Sequence, residues 1–391
     1  MPTIQSVSVA NVRVPLDNAT AFSTRLVTGR DYGLVKVRST DGVEGIGFCY
    51  SGSQGGALTV EAVRVLLAPL LIGRDSTSTE ALWSAMYAES LLQGRAGSVM
   101  RALSILDNAL WDLNARSAKL PLWRYLGAAV EDGRGTAAAP ASVPAYASGG
   151  YYLPGKGPKQ LGKEVAGYVK LGFKAVKIKV GKESPRNEEL RVRAAREAIG
   201  QDVLLMLDAN NAWSDLPTAL EYCKRFEAYD PYWIEEPFGP DELDNHAKLA
   251  QLTPITVATG EIGYGRWYFK ELLDKRAAEI LQTDACVCGG ISEWRRIAAT
   301  AASYGVTVCP HWFHDLHVHL VAATPNARFV EFFSDDQVLN FRNLIDTQLE
   351  FSDGNLILPK TPGLGFGFDD KQVKKFAAAP SDSKSPWIEI H

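Results

Sequence analysis

Residues 175–210 read AVKIKVGKESPRNEELRVRAAREAIGQDVLLMLDAN. An apolar strand, a polar loop, an amphipathic helical stretch and a second apolar strand follow one another. The strands carry charge at their ends, Lys177 and Lys179 in the first and Asp208 in the second. The unit then repeats. The runs YWIEEP, ITVATGE, EILQTDA, VTVCPH and RFVEFF deliver Glu235, Glu261, Asp284, His311 and Glu331. Their spacing of roughly 20 to 30 residues is what one βα unit occupies in a barrel of roughly 250 residues. Strands alternating with helices at this pace predict an α/β fold with parallel strands. If each charged residue caps a consecutive strand, all converge on the C-terminal rim, where barrels place their chemistry.

Upstream the pattern differs. Residues 3–16 and 32–48 alternate as strands do, through Val7, Val9, Val12 and Val14 and then Leu34, Val35 and Val37, with a turn at Asp41-Gly42. Segments near 58–73, 76–92 and 97–118 carry apolar residues at helical spacing, and Ser76 to Thr79 offer N-cap hydroxyls before Glu80. Three parts are expected: a small α+β domain over 1–135, a barrel over 136–350, and a segment 351–391 that packs back on the first domain. TPGLGFGF in that segment is too glycine-rich for a barrel helix and has no strand-turn-helix context for a dinucleotide or phosphate loop.

Composition sets the class. With 391 residues, 46% hydrophobic, 22% charged and a net charge of -4, the chain has the makeup of a soluble globular protein and no basic surplus for nucleic acid. The opening MPTIQSVSVANVRVPL does not read as a secretory signal, and no apolar run approaches a membrane span. A cytoplasmic location is expected, with no nucleic-acid or membrane partner. The five cysteines are odd in number and lack C-x-x-C spacing, which favours reduced thiols over disulfides or zinc.

Lys177 and Lys179 are two apart and point to one side of an extended chain. Their mutual repulsion should favour loss of a proton from one of them, which turns a lysine into a general base. The alternative is a strand end with solvated lysines. Asp208, Glu235 and Glu261 each end an apolar run, where burial is costly unless a cation neutralises them. Three carboxylates on three strands suit a hard octahedral cation with positions left for ligand, and magnesium is the natural choice. Asn210, two beyond Asp208, would face the same way and could orient a ligand. Each carboxylate alone could equally be a salt bridge or a helix cap. His311, His314, His317 and His319 form a dense run, but only His311 ends a strand, and the others read as helix-face residues. Cys286 and Cys288 read as buried neutral thiols.

These residues resemble the enolase superfamily, and within it the mandelate racemase group. The similarity runs from ALSILDNALWDLNARSAKLPLWRYLG at 102–127 through KIKVG, LDAN, WIEEP, TGE, TDA, CPHWFHDLHVHLVAATP and VEFF. The resemblance implies a modified (β/α)7β barrel with an α+β capping domain completed by the C-terminal tail. It implies magnesium on Asp208, Glu235 and Glu261, with Glu236 behind the metal or in the packing. It further implies Lys179 as base, Lys177 beside the substrate carboxylate, Asp284 and His311 as a dyad on the opposite face, and Glu331 as a glutamic acid that hydrogen-bonds that carboxylate. The chemistry implied is removal of the proton α to a carboxylate through an enediolate.

The site leaves two outcomes open. Bases on both faces suit racemisation or epimerisation of a 2-hydroxy acid, whereas His311 as a general acid would expel a β-hydroxyl, the hydro-lyase outcome. A noncatalytic metal-binding barrel is the remaining class, since fold does not dictate function, but its mark would be a missing base or dyad. Residues 17–31 and 49–56 are the candidate lid loops, rich in hydroxyl, amide and arginine groups. Those groups would be satisfied by a polyhydroxylated acid sugar, an aldonate or aldarate, and left unpaired by an aryl substrate. Dehydration to a 2-keto-3-deoxy acid is therefore the preferred reading. Arg25 and Arg30 are expected to meet a distal hydroxyl or carboxylate, the alternative being ordinary surface charges. A small-molecule carboxylate is the expected partner, in a homo-oligomer.

Overall fold

The structure, a computed structural model, describes residues 2–128, 142–335, 339–378 and 385–391. The expected boundary at 135/136 lies outside the described residues. The N-terminal part opens with β1 (Ile4–Phe22) and β2 (Arg25–Ser39), an antiparallel hairpin paired from Ile4–Ser39 to Phe22–Arg25, followed by β3 (Glu44–Tyr50). Residues 17–31 are thus not a loop. They are the far end of this hairpin, and only Ser23 and Thr24 turn the chain. The pairing register shifts between Pro15 and Thr20, where the proline cannot donate to the ladder and the ribbon bends.

Helix Gly97–Ser117 lies on this sheet. A Cβ on Gly47 would sit 1.9 Å from the Ile105 carbonyl oxygen, and one on Gly45 would sit 2.2 Å from that of Ala109. Glycine is required here because helix backbone touches strand backbone. The preceding helix, Thr79–Gln93, starts after Ser78, whose side chain makes no capping bond, so the hydroxyls at 76–79 do not cap it as expected.

Eight strands form the barrel among the described residues: β4 (Ser142–Gly149), β5 (Ala175–Lys179), β6 (Leu204–Asp208), β7 (Pro231–Glu235), β8 (Val257–Thr259), β9 (Ile280–Leu281), β10 (Thr307–Val308) and β11 (Val330–Phe332). Neighbours pair in parallel from β4 to β10, β11 returns to β4, and a Val308–Ala327 bridge closes the remaining gap. One helix fills each of the seven connections, which gives the (β/α)7β order. Seven of the strands are the runs read from sequence; the first, β4, was not among them.

Strand periodicity sorts the side chains. Val176, Ile178, Leu205, Leu207 and Ile234 pack outward against the helices, while Ala175, Met206 and Trp233 fill the barrel floor with Tyr146 and Phe329. Lys177, Lys179, Asp208 and Glu235 share the inward parity, nearer the C-terminal ends of their strands. They are buried.

The C-terminal segment divides. Its first hairpin, β12 (Phe351–Ser352) and β13 (Asn355–Ile357), pairs with the start of β4 at the foot of the barrel, so this stretch does not lie on the capping sheet as expected for 351–391. Further on, the Leu364 N–H donates to Asp112 at 2.7 Å, and β14 (Ile388–Ile390) pairs with β1. No described helix is long and apolar enough to cross a membrane. The five cysteines are buried and free.

Candidate active site

Register brings Lys179, Asp208 and Glu235 side by side on β5, β6 and β7, each at its strand's last residue. Glu261 follows β8 by two residues, Asp284 and His311 follow β9 and β10 by three, and Glu331 is the middle residue of β11. Carboxylate oxygens of Asp208, Glu235 and Glu261 lie within 4.8 Å of one another, and among the described residues this is the cluster that could hold a metal ion.

The lysines are held by these acids. Lys177 Nζ donates to both Glu235 oxygens, at 2.7 and 2.8 Å, and lies 2.8 Å from Glu331 Oε1. Lys179 Nζ donates to Asp208. Burial would push both ammoniums toward the neutral form, but Glu235 and Glu331 around Lys177, and Asp208 beside Lys179, outweigh it and raise both. The expected depression by mutual repulsion is not seen, because each cation has a closer carboxylate than its fellow lysine. The carboxylate that holds Lys179 charged is one of the three a metal would engage.

Negative charge is nevertheless in excess. Five carboxyls, Asp208, Glu235, Glu236, Glu261 and Glu331, share three cationic groups, Lys177, Lys179 and His311. Glu236 Oε1 is buried without a partner, and burial with the Asp208 and Glu235 charges pushes that carboxyl up to about 8. Burial and the Glu236 charge likewise raise Glu261 far above the usual range. Three hard oxygen donors on rigid strands with uncompensated charge are what a divalent cation such as magnesium requires, so the donor set fits.

On the other side, His311 Nδ1 lies 3.1 Å from Asp284 Oδ2 and its Nε2 lies 3.4 Å from Glu261 Oε1. Burial lowers this imidazole, but Glu261 and Asp284 together raise it to about 9. Its ring stacks on Trp312 at 5.5 Å and 9°. Glu331 differs from its expected form. Burial raises it, yet Lys177 and His311 hold it down to about 2, and its Oε2 accepts the Trp312 N–H at 2.8 Å. Its two oxygens face donors, Lys177 at Oε1 and the Trp312 N–H at Oε2.

His317 is occupied in packing, with Nε2 accepting from the Ala285 N–H at 3.1 Å and Nδ1 2.9 Å from the Trp312 carbonyl. His314 and His319 are buried in the same helix. Burial raises Cys286 and Cys288 well above the usual thiol range.

The hairpin tip closes the cup. Ser23 donates to the Ala209 carbonyl and Thr24 to that of Asn210 at 3.2 Å, while Asn210 donates its N–H to Asp208 at 2.9 Å. Phe22 and Tyr151 rings lie 5.9 and 5.2 Å from Lys179 Nζ. The cavity beneath the tip measures about 160 Å³ and is lined by Arg25 and Arg30 together with Lys179, Asn210 and His311. That is below the roughly 300–1,000 Å³ of drug-sized pockets and suits a compact ligand. A larger groove of about 1010 Å³ lies elsewhere along the hairpin, beside Leu26, Leu153 and Leu190, and contains none of these groups.

Arg25 is exposed. Arg30 is buried, 4.6 Å from the Trp312 ring centre and 5.1 Å from that of Tyr50. Residues 51–55 form turns that put Gly52 on the cavity. Sequence reasoning missed Arg101, which also lines it. The signal was there: Arg101 shares a helical stripe with Ile105, Asn108 and Asp112, all buried, and a charge on such a stripe marks an unusual site.

Residues 4–127 match the family described as mandelate racemase / muconate lactonizing enzyme, N-terminal domain, and residues 160–372 match that described as enolase C-terminal domain-like. The chain belongs to the mandelate racemase/muconate lactonizing enzyme family of the enolase superfamily. Among members of that family, an arabinonate dehydratase of Saccharolobus solfataricus is 35% identical over 350 residues, 87% of this chain and 89% of the relative. A 3,6-anhydro-alpha-L-galactonate cycloisomerase of Streptomyces coelicolor is 30% identical over 378 residues, 96% of this chain and 99% of its own. The crystal structure of L-talarate/galactarate dehydratase from Salmonella typhimurium LT2, liganded with Mg and L-lyxarohydroxamate, superposes with a TM-score of 0.88 at 29% identity, covering 100% of this chain and 94% of that one.

Proposed function

We propose that this protein is a magnesium-dependent acid-sugar dehydratase. The observation that carries the reading is one small cavity lined by Lys179, by the His311–Asp284 pair and by Glu261, whose carboxylate lies within 4.8 Å of those of Asp208 and Glu235. Magnesium on Asp208, Glu235 and Glu261 would supply a Lewis acid that takes up negative charge developing on the substrate carboxylate. Lys177, fixed between Glu235 and Glu331, presents an ammonium to the same carboxylate and stabilises its enediolate form. Glu331 acts as an anchor for Lys177 and for the Trp312 backbone. Lys179 removes the proton from C2. His311, protonated beside Asp284 and Glu261, then gives a proton to the hydroxyl leaving C3, so that water departs and an enol remains. The enol ketonises to a 2-keto-3-deoxy acid. Asn210, Arg25 and Arg30 hold the hydroxylated chain, and the hairpin tip keeps bulk water out.

The dehydratases among the relatives support this reading. The placement of bases on both faces also serves 1,1-proton transfer, and racemisation or epimerisation is the second reading. The deciding experiment incubates aldonic and aldaric acids with magnesium in heavy water, using wild type and His311→Asn, followed by NMR. Wild type should form 2-keto-3-deoxy acid. His311→Asn should form none yet wash deuterium into C2 through Lys179. Inversion at C2 by wild type with no keto-deoxy product, across the panel, would sink dehydration and establish the racemase.

A further inference from the structure

The two walls of the cavity differ in charge, mixed on the barrel side and cationic on the capping side. The barrel side carries Glu236, Glu261, Asp284 and Glu331 together with Lys179 and His311, whereas the capping domain contributes Arg25, Arg30 and Arg101 and no carboxylate. Arg101 Nη1 donates to the Tyr50 carbonyl at 2.7 Å. The ring of the same Tyr50 lies 5.1 Å from the Arg30 guanidinium. One residue therefore fixes two guanidinium groups on one wall. These contacts use only part of the five N–H donors in the Arg101 fork, whose geometry matches a carboxylate.

A monocarboxylate acid sugar uses the barrel wall and offers this cationic wall only hydroxyls. We propose that the cavity is built for a dicarboxylic acid sugar, an aldarate, whose distal carboxylate is received by Arg101, with Arg25 and Arg30 completing the positive wall. The proposal rests on the dehydratase reading and adds its substrate class. An aldonate of equal length presents a CH2OH group there and leaves the fork without an anionic partner. Losing a hydrogen bond to a charged group of this kind costs roughly ten- to hundredfold in affinity.

The test compares hexarates, hexonates of matched configuration and 6-phosphohexonates on wild type, Arg101→Lys and Arg101→Met with magnesium. Wild type should favour a hexarate in kcat/KM by at least about tenfold. Arg101→Met should lose roughly ten- to hundredfold on the hexarate, chiefly in KM, with little change on the hexonate, and Arg101→Lys should recover part of the loss. Equal losses on both acids would mean that Arg101 only braces Tyr50, and a wild-type preference for hexonate or phosphohexonate would equally overturn the proposal. Calorimetry of the same ligands with Lys179→Met reads affinity without turnover. If no acid sugar reacts with wild type, the dehydratase reading fails, and calorimetry alone decides whether the second carboxylate is recognised.

Discussion

Replacing His319 with glutamine should flatten the acid side of the protein's stability profile. His319 sits on the last barrel helix, His314–Ala322, where its Nδ1 accepts the Trp123 N–H at 3.1 Å and its Nε2 donates to the Leu364 carbonyl at 3.1 Å. That pattern requires the neutral ring, since a proton on Nδ1 would displace the Trp123 donor. Burial holds the imidazole down to about 4, against an ordinary value of 6.5. The unfolded chain therefore takes up a proton between those two values while the folded chain does not. Stability from this residue is complete above the ordinary value and is lost as pH falls toward the folded one. At about 1.4 kcal/mol per unit, the loss amounts to about 2 kcal/mol between about pH 7 and about pH 5. Glutamine can accept from Trp123 and donate to Leu364 but does not titrate. Urea or thermal unfolding at both pH values should show wild type losing about 2 kcal/mol more than His319→Gln. Buried His246 and His317 contribute to both proteins and cancel in the difference. Equal losses in the two proteins would refute the assignment of this linkage to His319.

Glu261→Gln should weaken magnesium binding by at least about tenfold in calorimetry while leaving the thermal midpoint nearly unchanged, since the residue is held by site charges and not by core packing. Lys179→Met should lose roughly a hundred- to ten-thousand-fold in kcat with substrate binding retained; a variant that still exchanged the C2 hydrogen on the Lys179 face would show that another group is the base. Gly47→Ala should destabilise by about 3 kcal/mol or fail to fold, because the new methyl meets the Ile105 carbonyl. Gly167→Ala, in helix Pro158–Lys170 with nothing within 4 Å of its Cβ position, should instead raise stability by about 0.5–1 kcal/mol. Thermal unfolding of the pair checks both signs.

Period-2 apolar runs that end in charge made the barrel readable, since the parity that sends Val176 and Ile178 to the helices sends Lys177 and Lys179 to the centre. The first barrel strand was harder to see because Pro144 and a run of small residues weaken its strand signal. The hairpin end at 17–31 looked like a loop for a similar reason: Asp17, Asn18 and Gly29 disfavour strands, and pairing with a long partner overrides them. The joining of β13 to β4 depends on residues more than two hundred positions apart, and local pattern carries no trace of such a pairing. In the site, residue types announced the ligand set. They could not announce that Glu331 faces Lys177 and the Trp312 N–H, because those donors arrive from β5 and from the segment after β10.

The hairpin tip meets the barrel through the carbonyls of Ala209 and Asn210, so on the barrel side its grip depends on main-chain atoms that every residue possesses, and on the hairpin side it depends on the hydroxyls of Ser23 and Thr24. Beyond those two hydroxyls, a neighbour such as Arg25 is free to vary without disturbing Asp208. In the reading proposed, proton transfer is housed in one folding unit and part of ligand selection in the other, and at the tip the two are joined by two hydroxyls and two main-chain carbonyls. A descendant of this chain can acquire a new diet by rewriting the hairpin while inheriting its reaction unchanged.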